Sequence, residues 1–215
     1  MLLRCRTPLI GGWLRRRALE ALISQRSPEA VRVLAETVAD SDSDDLRQGI
    51  LEALRKLHSQ ALIDSVCVVW VERRDAVLAK LLVECEWIAT APPKVRVFTA
   101  LHAAKVPAVL SGGAEIVDPL CQAHADADAA IARWAGECLL KLENPEAIDA
   151  VCLRWMERRE PLLAQALEKA GYVARQPLAV RVWSALKAGK LEIVADGNAE
   201  VVEPLLPACA DAEAV

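Results

Sequence analysis

The chain has 215 residues, of which 54% are hydrophobic and 4% aromatic, and its formal net charge is −4. This apolar fraction supports a buried core and excludes a disordered chain, while few aromatic residues and 9 glycines favour helices over strands. Because nucleic-acid binding draws on clustered Lys and Arg, the acidic balance disfavours a nucleic-acid partner.

The first segment, 1–17, contains five arginines and no acidic residue. Its apolar part, 8–14, is short and is interrupted by Gly11 and Gly12, so we expect a basic first helix and not a signal peptide. The longest apolar stretches, such as 61–71, fall well short of the roughly 20 residues that cross a bilayer. No membrane partner is predicted.

Seven cysteines, an odd number without a CxxC pair, do not resemble a disulfide framework or a zinc site. Reduced thiols and a cytoplasmic location are therefore predicted.

An internal repeat is the strongest signal in the sequence. The segment Trp70-Val-Glu-Arg-Arg74 recurs 85 residues later as Trp155-Met-Glu-Arg-Arg159, and 32 of the 68 positions from 62 to 129 are identical at this offset. A partial earlier copy begins where Glu29-Ala-Val31 matches Glu115-Ile-Val117. We therefore expect one domain, 1–215, made of a partial repeat (1–60), a full repeat (61–145) and a truncated repeat (146–215).

Within the repeats the apolar spacing is helical, as in Ile148, Val151, Cys152 and Trp155. Asn144 before Pro145 is typical of a helix start, and Asp126 and Asp128 are placed to cap a helix over 129–142. Asp42, Asp44 and Asp45 have a similar position and are also expected to be caps. No strand-like alternation is sustained, so the chain is predicted to be all-α, with helices that bury their apolar faces on neighbouring helices.

The segment Glu115-Ile-Val-Asp-Pro-Leu-Cys-Gln-Ala-His-Ala-Asp-Ala-Asp-Ala-Ala-Ile-Ala-Arg133 resembles a HEAT repeat, a helix followed by an Asp-rich turn and a second helix with an early Arg. It is most similar to the bacterial subgroup found in bilin-lyase-type HEAT proteins. The resemblance implies a right-handed α-α superhelix, a HEAT/armadillo-like solenoid, here with a higher-order repeat of 85 residues. Two features depart from the family: each repeat holds about five helical segments, and 92–110 is unusual for HEAT.

The residue types that usually carry chemistry are better explained by structure in this chain. Cys85 corresponds to Ala170 in the later copy and Cys121 to Leu206, so these positions accept any apolar group of similar size. Cys67 and Cys152 are equivalent, and both are predicted to be buried beside Trp70 and Trp155. The three histidines show no ligand spacing and are expected at the edge of the core: His58, His102 and His124. No catalytic residue, metal site or cofactor is predicted.

Charged residues that recur in both copies are the candidates for binding. Arg73 and Arg74 follow Trp70 by three and four residues, which places them on one helix face. Their positive charges either interact favourably with the negative end of the helix dipole or bind a partner. Arg96 and Arg181 each lie above two alanines at i+4 and i+7, where an arginine either packs against the next helix or faces a shallow groove. The predicted partner-binding residues are Arg74, Arg96, Arg159 and Arg181.

These observations favour a non-enzymatic scaffold for protein–protein interaction that binds an acidic protein segment. The HEAT resemblance keeps open a bilin lyase or chaperone-like protein, and a nucleic-acid binder similar to DNA-alkylation-repeat glycosylases is a weaker alternative. The last predicted helix, with Val201, Val202, Leu205 and Leu206, lacks the neighbour that covers its counterpart in the full repeat. We expect self-association, or a longer array, through this face.

Overall fold

The computed structural model describes residues 17–18, 20–22, 24–25, 27–171, 173–174, 177–195 and 199–210. The chain divides into two compact units, Met1–Ala103 and Ala104–Val215. All regular secondary structure in the described residues is helical, which confirms the all-α prediction. In that part of the chain no helix is long and apolar enough to cross a membrane.

The first unit contains the helices α1 (Pro28–Asp40), α2 (Asp44–Leu54), α3 (Gln60–Arg73), α4 (Ala76–Glu84) and α5 (Pro93–His102). The described residues between 17 and 25 are helical as well. Helix α1 packs on α2, α3 and α4, and α3 packs on α5. The Asp75 carboxylate caps α4 by accepting from the amides of Val77 and Leu78. The predicted capping role of Asp42, Asp44 and Asp45 is wrong. The N-cap of α2 is Ser43, and Asp44 and Asp45 lie inside the first turn of the helix. There their negative charges interact favourably with the positive end of the helix dipole.

The second unit begins with α6 (Val106–Leu110) and a 3₁₀ turn (Ala114–Ile116) that leads into α7 (Val117–His124). Its further helices are α8 (Ala129–Leu139), α9 (Pro145–Arg158), α10 (Pro161–Ala170), α11 (Leu178–Lys187), α12 (Leu191–Ala195) and, after a 3₁₀ turn at Ala199–Val201, α13 (Val202–Ala210). Helix α7 packs on α8, α9 packs on α10 and α11, and α11 packs on α13.

The predicted helix starts in the second unit are confirmed. The Asp128 carboxylate accepts from the amides of Ala130 and Ile131, and the Asn144 side chain accepts from the amide of Glu146. Asp126, also predicted to cap α8, accepts instead from the amide of Asp128 in the turn before this helix. The number of helical segments in the full repeat was underestimated. From Gln60 to Leu139 the structure has six α-helices and one 3₁₀ helix, because the section 92–110 forms two helices of its own.

Helices of the two units have corresponding bounds. Helix α3 (60–73) and helix α9 (145–158) are 85 residues apart at both ends, and the same holds for α5 (93–102) and α11 (178–187). Trp70 and Trp155 lie at equivalent positions in α3 and α9 and are 3% and 1% exposed, so the prediction that both are core residues is confirmed. Cys67 and Cys152, one turn earlier in the same helices, are also buried.

Helix α13 exposes apolar side chains whose counterparts in α7 are buried. Val202 and Leu206 are 53% and 68% exposed, whereas their counterparts Val117 and Cys121 are 2% and 7% exposed. Helix α7 packs on α8 and on α9. Of the four residues predicted to form an uncovered face on the last helix, Val202 and Leu206 are exposed, whereas Val201 and Leu205 are half-buried.

Candidate functional site: two arginine–aromatic stacks

The helices α3 and α9 both end at an arginine with unusual backbone geometry. Arg74, directly after α3, has φ 53° and ψ 33°, and Arg159, directly after α9, has φ 55° and ψ 34°. In each case the backbone N–H donates a hydrogen bond to the carbonyl of the preceding tryptophan, Trp70 or Trp155, at 2.8 Å. Glycine is the usual residue at such a left-handed C-cap, since any side chain there costs about 1 kcal/mol. Ala104 and Glu86 also adopt positive φ, so the geometry is not special to arginine, but at both helix ends the arginine side chain makes a particular contact.

In the first unit that contact is a stack on two buried aromatic rings. The guanidinium carbon of Arg74 lies 5.1 Å from the ring centroid of Trp70 and 4.5 Å from that of Phe98. Trp70 belongs to α3 and Phe98 to α5, so the arginine joins the two helices. The Arg74 side chain remains exposed overall. Lys94, one turn before Phe98 on α5, lies 5.9 Å from the same ring.

The second unit repeats the arrangement with closer contacts. The guanidinium carbon of Arg159 lies 4.4 Å from the ring centroid of Trp155 and 4.3 Å from that of Trp183. The two indoles meet edge to face, with centroids 5.7 Å apart and planes at 71°. Arg159 is only half-buried as a residue, although its Nη1 atom is buried. A desolvated cation over an aromatic face contributes about 2 kcal/mol, against about 0.5–1 kcal/mol when exposed, so this second stack is the stronger one.

A further residue on the same helix face differs between the units. His102 stacks on Trp70 with ring centroids 4.6 Å apart, and its Nε2 lies 3.2 Å from the carbonyl oxygen of Ala79. The equivalent residue, Lys187, places its Nζ 5.9 Å from the Trp155 ring and 3.0 Å from a carboxylate oxygen of Glu168.

The remaining predicted site residues, Arg96 and Arg181, lie two residues before the second aromatic ring of each stack. Arg96 is half-buried and Arg181 is exposed. Among the residues that the structure describes, Arg181 forms no ion pair. The alanines one turn further, Ala100 and Ala185, are fully buried, so at this level the alanine strip is packed against neighbours and is not the floor of a groove.

A buried hydroxyl supports α5 and α11 at this place. Thr99 and Ser184 occupy equivalent positions and are almost fully buried. The Thr99 hydroxyl accepts a hydrogen bond from the amide of Ala89 at 3.1 Å, and the Ser184 hydroxyl accepts from Ala174 at 2.8 Å. The loop before each helix is thereby fixed to the helix that carries the second aromatic residue.

Phe98 and Trp183 were missed by sequence reasoning. They are the two aromatic residues at one pair of equivalent positions, and that pairing was visible at the offset of 85. What the sequence could not show is that these rings lie 4.5 Å and 4.3 Å from the guanidinium carbons of Arg74 and Arg159, because this depends on how α3 packs on α5 and α9 on α11.

The described cysteines are unsuited to nucleophilic chemistry at neutral pH. All five whose side chains the structure describes are free thiols. Burial, with a smaller contribution from the charge of Asp64, raises the pKa of Cys67 to about 12, and burial with the charge of Asp149 does the same for Cys152. Burial also raises the pKa of Cys121 and Cys138 to about 11. The predicted burial of Cys67 and Cys152 is confirmed, and Cys85 is half-buried; Cys5 lies outside the described part of the chain.

The histidines have separate positions. His58 is exposed, His102 is half-buried in its stack, and His124 is exposed with its Nδ1 3.2 Å from the carbonyl oxygen of Ala132. The prediction that histidines lie at the core edge therefore holds for His102 alone. No group of three or more metal-binding side chains occurs among the described residues.

Comparison of the chain with protein-family models, curated proteins and solved structures gave no match.

Proposed function

We propose that this chain is a non-enzymatic interaction scaffold, a HEAT-type right-handed α-α superhelix with an 85-residue repeat that binds an acidic segment of a partner protein. The proposal also places it in the cytoplasm, where the free thiols stay reduced. The family and the superhelix rest on the sequence repeat and on the corresponding bounds of α3 with α9 and α5 with α11.

The stacked arginines are the observation that supports this function. A guanidinium close to two aromatic rings is attracted by both of them, and a guanidinium is the group that pairs with a carboxylate through charge-assisted hydrogen bonds. The stack also fixes the side chain before the partner arrives, and this lowers the entropy lost on binding.

Each unit supplies one well-exposed arginine of the predicted set. In the first unit this is Arg74, beside exposed Arg73 and Lys94. The adjacent Glu72 carboxylate is paired with Arg32. In the second unit the well-exposed arginine is Arg181, because Arg159 is withdrawn further into its stack. An acidic segment is the partner that such a surface attracts.

Affinity capture with quantitative mass spectrometry tests the function. We expect wild-type protein to capture a partner from lysate of the source cell, and Arg74→Gln or Arg181→Gln to lower its recovery at least fivefold. Lys56→Gln, a change at an exposed lysine in the first unit, serves as the matched control and should leave recovery unchanged. The captured partner should dissociate when the salt concentration is raised from roughly 0.1 to 0.5 M, because salt screens charge pairs at an interface. Recovery that is the same for all three variants contradicts the proposal.

Self-association through α13 is a second part of the proposal. Because Val202 and Leu206 are exposed whereas their counterparts Val117 and Cys121 in α7 are buried, we propose that a helix of a second copy packs on Val202 and Leu206. Sedimentation over a range of concentrations should show a dimer that Val202→Ser with Leu206→Ser abolishes. Wild-type protein that stays monomeric at about 0.5 mM, where even weak specific pairs form, contradicts this part.

A further inference from the structure

An open cleft lies in the second unit between the end of α8, the start of α9 and the end of α10. Its volume is about 690 Å³, which falls in the range of roughly 300–1,000 Å³ that ligand sites occupy. The apolar part of its lining consists of Leu110, Leu140, Leu142 and Ile148. Because the cleft is open to solvent along one side, it suits a segment of chain better than an enclosed small molecule.

The charged residues of the cleft are mainly basic. Lys141 and Lys169 contribute to the lining together with Glu143. Lys141 also lies 3.6 Å from Glu137, one turn earlier on α8. Lys169 is exposed and has no ion pair among the described residues. The lining thus offers one cation without an ion pair in the described part of the chain, Lys169, together with the exposed carboxylate of Glu143.

The same place in the first unit is closed by a salt bridge. Leu140 is equivalent to Arg55 and Lys169 is equivalent to Glu84 at the offset of 85. Arg55 donates to the Glu84 carboxylate at 3.1 Å and so links the end of α2 to the end of α4. Lys80 adds a second cation 3.7 Å from that carboxylate. The hydrogen bond from Arg55, together with the charges of Arg55 and Lys80, keeps the pKa of Glu84 below its usual value.

The second unit has lost both members of this bridge. Leu140 occupies the position of Arg55, and Lys169 occupies the position of Glu84. The leucine adds apolar surface to the cleft, and the lysine leaves a positive charge where the first unit has a negative one. A carboxylate from another molecule would restore the charge balance that Glu84 supplies in the first unit.

We propose that this cleft binds a linear peptide segment with acidic residues next to leucine-like side chains. The apolar side chains contact Leu140, Leu142 and Ile148, and the carboxylates pair with Lys141 and Lys169. The inference rests on the proposed function, since its ligand is a protein segment, but it concerns residues that the arginine stacks do not include.

Fluorescence polarisation with defined peptides tests the site. The probe is a labelled octapeptide with two leucines between two sets of three glutamates. One control peptide replaces the leucines by alanine and a second replaces the glutamates by lysine. We expect the acidic leucine peptide to bind at least tenfold more tightly than either control, which corresponds to about 1.4 kcal/mol.

Variants of the protein locate the binding. Leu140→Arg combined with Lys169→Glu rebuilds the salt bridge of the first unit, so it should fold normally, close the cleft and weaken the probe at least tenfold. Lys141→Glu should weaken binding, whereas Lys56→Glu, the equivalent change in the first unit, should not. Amide chemical shifts should move at 140–142 and 169–170 on titration. Circular dichroism of each variant separates loss of binding from loss of folding.

Two results overturn the inference. One is equal affinity of the probe for wild type and for the folded double variant. The other is equal affinity of the acidic and basic peptides. The proposed function fails in a different way, when Arg74→Gln and Arg181→Gln leave capture of the cellular partner unchanged, so the two failures can be told apart.

Discussion

The segments 60–102 and 145–187 share one local arrangement of side chains, although the residues around it differ. Each has a helix that ends in a left-handed arginine, a guanidinium close to two aromatic rings and a buried hydroxyl that holds the next loop. The second aromatic residue is Phe98 in one and Trp183 in the other. The groups that make contacts inside the segment are retained, and this is expected because each depends on several neighbours at once.

Other equivalent positions differ between the two units. The Arg55–Glu84 bridge of the first unit is replaced by Leu140 and Lys169 in the second, and His102 is replaced by Lys187. Exposed salt bridges contribute little to stability, roughly 0–1 kcal/mol, so such positions change freely. The repeat therefore preserves the contacts between neighbouring helices and varies the charged side chains outside them.

Replacing a buried tryptophan should lower the free energy of unfolding more than any other change considered below. Trp155→Ala should lower the free energy of unfolding by about 3–5 kcal/mol, the usual range for a buried large aromatic residue. Trp155→Phe should cost less, because the buried indole Nε1 has no hydrogen-bond acceptor among the described residues. Urea denaturation followed by circular dichroism gives both values. Leu153→Ala, at an exposed position of the same helix, is the control. A loss below about 1 kcal/mol for Trp155→Ala would place the indole at the surface.

The buried hydroxyls come next. Ser184→Ala and Thr99→Val each leave a loop amide, of Ala174 or Ala89, without its acceptor, and we expect a loss of about 1–3 kcal/mol in either unit. Hydrogen exchange should become faster at that amide. Similar losses in the two units would confirm that the joint is shared, and a loss in one alone would break the equivalence.

The arginine stacks should differ in strength. Arg159→Ala should lower the free energy of unfolding by about 2 kcal/mol and Arg74→Ala by about 1 kcal/mol, because Arg159 is the less exposed of the two. Glycine at the same position removes the stack and also relieves the left-handed backbone, so each Gly variant should be about 1 kcal/mol more stable than its Ala variant. Thermal and urea unfolding give these differences. Equal effects of Ala at both positions would show that the distances to the rings do not determine stability.

The smallest effects concern the thiols. The pKa of Cys67 and of Cys152 is raised to about 12 in the folded protein, from about 8.5 in an unfolded chain. Folding therefore favours the protonated thiol, and the stability linked to it is complete below about pH 8.5 and is lost as the pH rises toward 12. Cys67→Ala and Cys152→Ala should each flatten this loss. A chromogenic thiol reagent at pH about 8 should modify neither residue in the native state. Rapid modification of Cys152 would contradict its burial.

The sequence by itself determined the helical class, the helix starts at Asp128 and Asn144, and the burial of Trp70 and Trp155. These follow from local rules, since capping bonds span two or three residues and apolar periodicity marks the inner face of a single helix. The same rules misplaced the start of α2, because Ser43 and Asp44 are both acceptable at a helix start and the chain continues helical at the aspartate.

Only the tertiary structure decided the environment of the four arginines and the cleft at Leu140 and Lys169. Arg74 and Arg159 have the same sequence context, yet one side chain is exposed and the other half-buried. Which second ring lies close to a guanidinium depends on the helix that packs opposite, and periodicity within one helix contains no information about its neighbour. The cleft arises in the same way, because Leu140 and Lys169 lie on different helices and meet only when α8 packs on α10.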